Sequence, residues 1–235
     1  MRQLFLLTIL AAALPAFAQS APPSAPVPLP PPADQLPPVD EAAKDPAFKL
    51  FRDQLHEAVI HHDRKAILAS LAPDIINGYD VNRGREAFIR EWFHDPRESP
   101  LWETLGALLA LGGSFEPTDE GDPEFWAPYV YSEFPEDRAG LNEAVALGPA
   151  VGVRARPGLE AKIVATLHHA IVKVADFKPV TEKSGATERL WLKIINPDGS
   201  FGYVEKRELR TPSDYRACFR KIKGQWKMTL LLTGE

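Results

Sequence analysis

Residues 150–209 decide how this chain is interpreted. They begin with Val153-Arg154-Ala155-Arg156-Pro157-Gly158 and end with Gly199-Ser200-Phe201-Gly202-Tyr203-Val204 before Leu209. Between these motifs, residues 163–167, 171–174 and 191–194 form short runs rich in β-branched and aromatic side chains. Asn196-Pro197-Asp198-Gly199 has the composition of a tight turn. Such short runs with turn residues between them predict a small all-β barrel.

The same residues resemble a bacterial SH3 (SH3b) domain over roughly residues 150–209. The resemblance rests on a Val-Arg-x-x-Pro-Gly opening, a later Trp strand and a closing Gly-Tyr-Val, at these positions: Val153, Arg154, Pro157, Gly158, Leu167, Val172, Trp191, Gly199, Gly202, Tyr203, Val204 and Leu209. The chain departs from the family pattern at Gly152, at Ala170 and over residues 177–189, which read as a long polar loop. The resemblance implies a module that recognises peptidoglycan peptides or an envelope protein.

Four residues of this segment are the candidate ligand contacts. Arg154 and Arg156 lie in an opening loop and could pair with a ligand carboxylate through two hydrogen bonds. Trp191 and Tyr203 match family positions, and their rings could stack on a ligand. The alternatives are solvated loop charges for the two arginines and core positions for the two aromatic residues.

The N-terminal residues predict export. Arg2, the apolar residues 4–14 and the small-x-small motif Ala16-Phe17-Ala18 indicate a signal peptide over residues 1–18. Residues 19–40 contain nine prolines and predict an extended, disordered linker. A Pro-x-x-Pro ligand motif at 28–31 is the alternative. The expected localisation is periplasmic or secreted, without a membrane span after the signal is removed.

Net charge and cysteine content limit the classes of partner and the disulfide bonds that are expected. The formal net charge of −5 argues against a general nucleic-acid binder. Cys218 is the single cysteine, so an intramolecular disulfide is impossible. We expect a peptidoglycan peptide or an envelope protein as the partner; the sequence leaves the oligomeric state open.

Residues 41–145 predict an α-rich α+β domain. Asp45-Pro46 and Asp63 have the composition of helix starts, and Ser99-Pro100 repeats the first signal. Apolar residues recur at helical spacing after each, with the second helix expected to end at Pro73 and the last at Gly112-Gly113. Residues 75–76 could form a short strand, and residues 84–93 a third helix.

The C-terminal residues 212–235 predict a β-hairpin that completes this α+β domain. Two β-like runs flank Lys223-Gly224-Gln225, and an isolated hairpin is only marginally stable in water. The alternation places Trp226, Met228, Leu230 and Leu232 on one face of the second strand. Three motifs, Ala72-Pro73-Asp74, Gly84 to Phe88 and Gly224-Gln225-Trp226-Lys227, together resemble an NTF2-like fold, although most of that family's middle strands are missing. The predicted barrel, residues 146–211, would then be an insertion.

Catalytic and metal-binding patterns are weak in this sequence. His56 and His61, five residues apart on one helix, diverge by about 140° and cannot share a metal. Cys218 has no histidine after it, so a structural thiol is the better interpretation than a nucleophile. The aromatic residues 125–131 could line a sugar or peptide surface, with a core strand as the alternative. We therefore predict no catalytic residue, metal site or cofactor.

The sequence thus favours a non-enzymatic exported envelope protein of the α+β class, with an SH3-like β-barrel as its recognition module. One alternative is an NTF2-like pocket protein or enzyme that acts on a small apolar ligand. Another is a structural protein–protein adaptor with exposed aromatic side chains.

Overall fold

The structure, a computed structural model, describes residues 34–78, 83–95, 99–119, 121–138, 142–196 and 199–234. The predicted signal peptide, residues 19–33 of the Pro-rich segment, and Pro197 and Asp198 of the predicted turn lie outside the described residues. The helices α1 to α5 are Pro46–Ile60, Arg64–Ser70, Gly84–Trp92, Leu101–Ala110 and Tyr129–Ser132. The strands β1 to β12 are Leu71–Ile76, Ser114–Glu116, Glu124–Ala127, Glu143–Ala146, Val151–Arg154, Ile163–Leu167, Ile171–Ser184, Thr187–Ile195, Phe201–Glu205, Leu209–Arg210, Arg216–Ile222 and Gln225–Leu232. Within these ranges, every helix is too short or too polar to cross a membrane.

The first two helices begin where the sequence predicts. The Asp45 carboxylate accepts hydrogen bonds from the Ala47 and Phe48 amides at 2.8 and 3.0 Å, and Asp63 caps α2 in the same way. The predicted end of α2 at Pro73 is wrong, because the helix stops at Ser70. Residues 71–76 instead extend as β1, which pairs in parallel with β12.

A five-stranded sheet with the order β1-β12-β11-β3-β2 carries the helices on one face. The C-terminal hairpin, β11 and β12, occupies the second and third positions of this sheet. The helices and the sheet share one hydrophobic core, whose larger side chains include Phe48, Leu55, Ile67, Phe88, Leu105, Phe125, Phe219 and Trp226. The expected α+β class is confirmed, and the hairpin packs on the helical region.

The inward face of β12 differs from the predicted alternation. Trp226 and Met228 lie in the core as expected, but Leu231 takes the place predicted for Leu230. The reason is a register shift: Cys218 pairs with Leu230 and Phe219 pairs with Met228, so Thr229 is an extra residue. Such a bulge exchanges the two faces of the strand beyond it.

The second sheet has seven antiparallel strands in the order β10-β4-β7-β8-β9-β5-β6. The predicted strand runs 163–167, 171–174 and 191–194 lie within β6, β7 and β8, whereas the opening and closing runs, 153–158 and 199–204, overlap β5 and β9 only in part. The edge strands β10 and β6 do not pair with each other in the described part of the chain, so the sheet is open and the expected closed barrel is not formed. β4 begins at Glu143, so the predicted boundary between 145 and 146 falls inside a strand of this sheet.

Residues 177–189 form an extended β-hairpin arm where the sequence predicts a loop. β7 and β8 pair from Lys173 and Ile195 out to Ser184 and Thr187, with two register shifts on the way. Gly185 turns the chain with φ +60°, in the left-handed region that glycine adopts without strain. The error arises because an exposed two-stranded ribbon keeps polar side chains, so its composition resembles that of a loop.

Residues 34–41, which we call the strap, are ordered although the sequence predicts a linker up to residue 40. The Leu36 amide donates to the His169 carbonyl at 2.7 Å, and the Ile171 amide donates to the Asp34 carbonyl at 2.8 Å. Further along, the Gly113 amide donates to the Val39 carbonyl at 2.9 Å. The strap therefore contacts both the second sheet and the residues that follow α4.

Candidate binding cleft

The structure brings two of the four sequence-predicted contacts together. Arg154 on β5 and Tyr203 on β9 are direct register partners, and both are half-buried. The Arg154 Nη1 donates to the Ala161 carbonyl at 2.7 Å, which fixes its guanidinium across the β5–β6 turn. Arg156 lies in that turn and is exposed. These three residues thus lie near one end of the β5–β9 pair.

Trp191 does not share this accessibility. Its side chain is only 1% exposed, and it is among the largest fully buried side chains of the described residues. Its register partner on β9 is Glu205, which is also buried. We therefore correct the prediction for Trp191: in this conformation its ring is a core group that a ligand cannot contact.

A cleft of about 920 Å³ opens beside Glu205, between α4 and the second sheet. Glu205 follows Tyr203 by two residues, so both side chains point to the same face of β9. One wall of the cleft is α4, with Thr104, Ala107 and Ala110, and the apolar residues Leu111, Leu147, Leu190 and Leu209 also line it. Its charged lining residues are Glu103, Glu188, Glu205 and Asp214 together with Arg189, Lys206, Arg207 and Arg210.

Glu205 is the centre of an ion-pair cluster in this cleft. The Arg189 Nη1 and the Arg207 Nε both lie close to its Oε1, at 3.2 and 3.0 Å. Glu205 is only 6% exposed, so the two guanidinium groups compensate a carboxylate that is largely removed from water. Burial, and then the charge of Glu205, raise the pKa of the neighbouring Glu208, while Arg207 and Arg154 act in the opposite direction.

Arg210 is held differently from the other cations of the cleft. Its Nη2 donates to the Tyr215 carbonyl at 2.5 Å, and its buried Nε has no hydrogen-bond partner within the described residues. Burial lowers the pKa of Arg210, and the charge of Asp214 partly opposes this effect. An Asp214 oxygen, Oδ2, accepts a hydrogen bond from the Thr211 amide at 2.9 Å.

The face of the first sheet away from the helices carries a smaller pocket, of about 350 Å³, lined in part by Trp126, Cys218 and Leu230. Glu124 accepts from the Trp126 Nε1 at 2.7 Å and also pairs with Arg220. Burial raises the pKa of the Cys218 thiol to about 12, which disfavours the thiolate that a nucleophile requires. Phe125 faces the core, whereas Trp126 lines this pocket. Adjacent residues of the aromatic segment 125–131 therefore lie on opposite faces of the first sheet.

The neighbouring histidines His61 and His62 have different partners. His62 stacks on Trp102 with ring centroids 4.8 Å apart, whereas the His61 Nε2 lies 3.4 Å from Oε2 of Glu57, an exposed residue of α1. Among the described residues, no three His, Cys, Asp or Glu side chains are grouped as a metal site would require.

The cleft was not predicted from the sequence as a binding site. The run Glu205-Lys206-Arg207-Glu208 directly after Tyr203-Val204 is a visible concentration of charge that could have indicated its second-sheet wall. The opposite wall could not be found in this way, because α4 lies about a hundred residues earlier in the chain.

Comparison with known proteins gives no relative: no protein-family model, no curated protein and no solved structure matches this chain.

Proposed function

We propose that this chain is an exported protein of the bacterial envelope that binds peptidoglycan peptides without catalysing a reaction. The cleft between α4 and the second sheet is the observation that carries the proposal. It presents acidic and basic side chains in equal number around small and apolar residues. Stem peptides of peptidoglycan carry both carboxylate and ammonium groups on short aliphatic residues, so they are complementary to such a lining.

The SH3b-like character of the second sheet is part of the proposal. β10, the last strand, pairs with β4, the first, and β7, β8 and β9 form an antiparallel meander, which are connections that a small barrel would need. Gly202 supports the motif match, since a Cβ there would lie 2.2 Å from Val153 Cγ1. Both residues belong to the resemblance, and their close approach explains why glycine is needed on β9.

Two observations weigh against the enzyme alternative. The space between the helices and the first sheet, where an NTF2-like pocket would lie, is filled by the core that contains Phe48, Phe125 and Trp226. The thiol of Cys218 is buried, with a raised pKa. We therefore favour recognition over catalysis.

The test is retention of the mature protein on purified peptidoglycan, beside a parallel incubation with an envelope extract. Arg207→Glu breaks the pair with Glu205 and reverses a charge in the cleft, so we expect retention to fall about tenfold or more. Arg90→Glu makes the same change on an exposed residue of α3 outside the cleft and should bind normally.

Arg156→Ala and Tyr203→Ala test the other end of the surface. A loss of retention in either would extend the binding surface to the β5–β6 turn, whereas unchanged retention in both, with intact circular dichroism, would restrict it to the cleft. Absence of the wild-type protein from the peptidoglycan pellet would overturn the proposed function. Capture from the envelope extract alone would indicate a protein partner instead.

A further inference from the structure

Arg210 differs from the other cleft arginines in having no carboxylate partner. Arg189 and Arg207 both pair with Glu205, whereas no ion pair involves Arg210 in the described part of the chain. It lines the cleft and is nevertheless largely withdrawn from water. A partly buried cation without a counterion, carrying an unpaired buried N–H, is costly unless a further partner satisfies it.

The position of the Arg210 side chain is fixed from one side. Its Nη2 is bound to the Tyr215 carbonyl, and the Tyr215 ring packs on Trp92 with centroids 5.3 Å apart. Trp92 belongs to the core of the helical region. The guanidinium is therefore presented by a rigid support, which reduces the entropy lost when an anion binds.

The nearby acidic group does not remove the need for an anion. Asp214 attracts Arg210, but Oδ2 of its carboxylate is engaged by the Thr211 amide and caps the turn before β11. Glu205 already has two guanidinium partners. Arg210 is thus the arginine of this cleft that has no ion-pair partner among the described residues.

We infer that Arg210 is the anchor for a carboxylate of the bound ligand, a peptide carboxylate if the proposed function, on which this inference rests, is correct. A carboxylate matches the planar guanidinium geometry and would supply the missing countercharge. The ion-pair cluster at Glu205 would then face other groups of the same peptide.

The experiment uses the full-length mature protein and two synthetic probes, measured by calorimetry. One probe is the tetrapeptide alanyl-γ-glutamyl-lysyl-alanine with free carboxylates, and the other is the same peptide with both carboxyl groups converted to amides. We expect the free acid to bind about tenfold or more tightly to the wild type. Arg210→Met should remove this difference, Arg210→Lys should restore only part of it, and Arg90→Met should leave it unchanged.

The outcomes separate the inference from the proposed function. Equal affinity of the wild type for acid and amide, with peptidoglycan binding intact, overturns the carboxylate anchor alone. Absence of peptide binding together with absence of peptidoglycan binding overturns both. If Arg210→Met does not fold, the wild-type comparison decides, supported by the Arg210 Nε–H resonance, which should shift with the acid and not with the amide.

Discussion

Trp226 of the C-terminal hairpin packs against the helical region. Its ring lies 4.9 Å from Phe48 of α1, centroid to centroid, and it is 5% exposed. Because Trp226→Ala would leave a large cavity between α1 and the sheet, we expect it to lower the free energy of unfolding by about 3–5 kcal/mol. Urea denaturation measures this change. Leu230→Ala is the control on the same strand, and a loss there as large as for Trp226 would contradict the register shift at Thr229.

Cys218 offers a second test at the residue scale. Its thiol is 2% exposed, and its pKa is raised from about 9 to about 12 by burial. We expect no reaction of the native protein with Ellman's reagent at about pH 8 on the timescale in which the urea-unfolded protein reacts completely. Rapid stoichiometric labelling of the native protein would show that the thiol is accessible.

The same raised pKa predicts the sign of a pH effect. The folded state keeps the Cys218 proton to higher pH than the unfolded state, so its contribution to stability is complete below about pH 9 and is lost as the pH rises towards about 12. The difference in unfolding free energy between the wild type and Cys218→Ala should therefore shift against the wild type across that window, and a constant difference would contradict it.

At the scale of elements, the strap joins the two sheets. Leu36 is 7% exposed and packs with Tyr129, Val130, Val145 and Ile171 in a third hydrophobic cluster. At the same end of the strap, Asp34 pairs with Arg138 at 2.9 Å, and Arg138 also pairs with the buried Glu143. Leu36 thus connects the strap to α5 and to strands β4 and β7, and Val39 of the strap packs against the same cluster.

Leu36→Ala should destabilise the protein by about 2 kcal/mol or more, because it opens a cavity in this small cluster. The change in melting temperature measures it. Gln35→Ala is the matched control, since the Gln35 side chain lies outside the cluster and its substitution should stay within about 0.5 kcal/mol. Indistinguishable melting temperatures for the two variants would mean that the strap contributes little to stability.

At the scale of the whole molecule, residues 216–232 supply two of the five strands of the first sheet. β11 and β12 separate β1 from β3 and supply Phe219, Trp226, Met228 and Leu231 to the main core. The second sheet has its own core, with Val153, Leu192, Ile194 and Val204, and it does not include the hairpin. The two sheets therefore depend on the C-terminal residues to different degrees.

Truncation after Thr211 should consequently remove amide protection from residues 48–109 and leave it in β7, β8 and β9. Hydrogen exchange followed by mass spectrometry distinguishes the two regions. Unchanged protection in residues 48–109 of the truncated protein would show that the helical region folds without the hairpin.

Local signals in the sequence were sufficient for much of this fold. The caps at Asp45 and Asp63, the strand runs 163–167, 171–174 and 191–194 and the C-terminal hairpin each depend on side chains within a few residues of one another. Their chemistry, an aspartate that receives free amides or an alternation of apolar residues, acts before any distant contact forms. Arg154 and Tyr203 were each named as candidate contacts from a motif, but only the structure shows that they are register partners.

Only the tertiary structure decided the remaining features. The burial of Trp191, the exchange of Leu230 for Leu231, the docking of the strap and the cleft at Arg210 all depend on residues far apart in the chain. A Pro-rich segment that docks on the protein and one that remains a linker have the same composition. Likewise, the residue type Trp does not show whether the side chain is buried or exposed. What separates them is the free energy of contacts with distant elements, which local sequence does not contain.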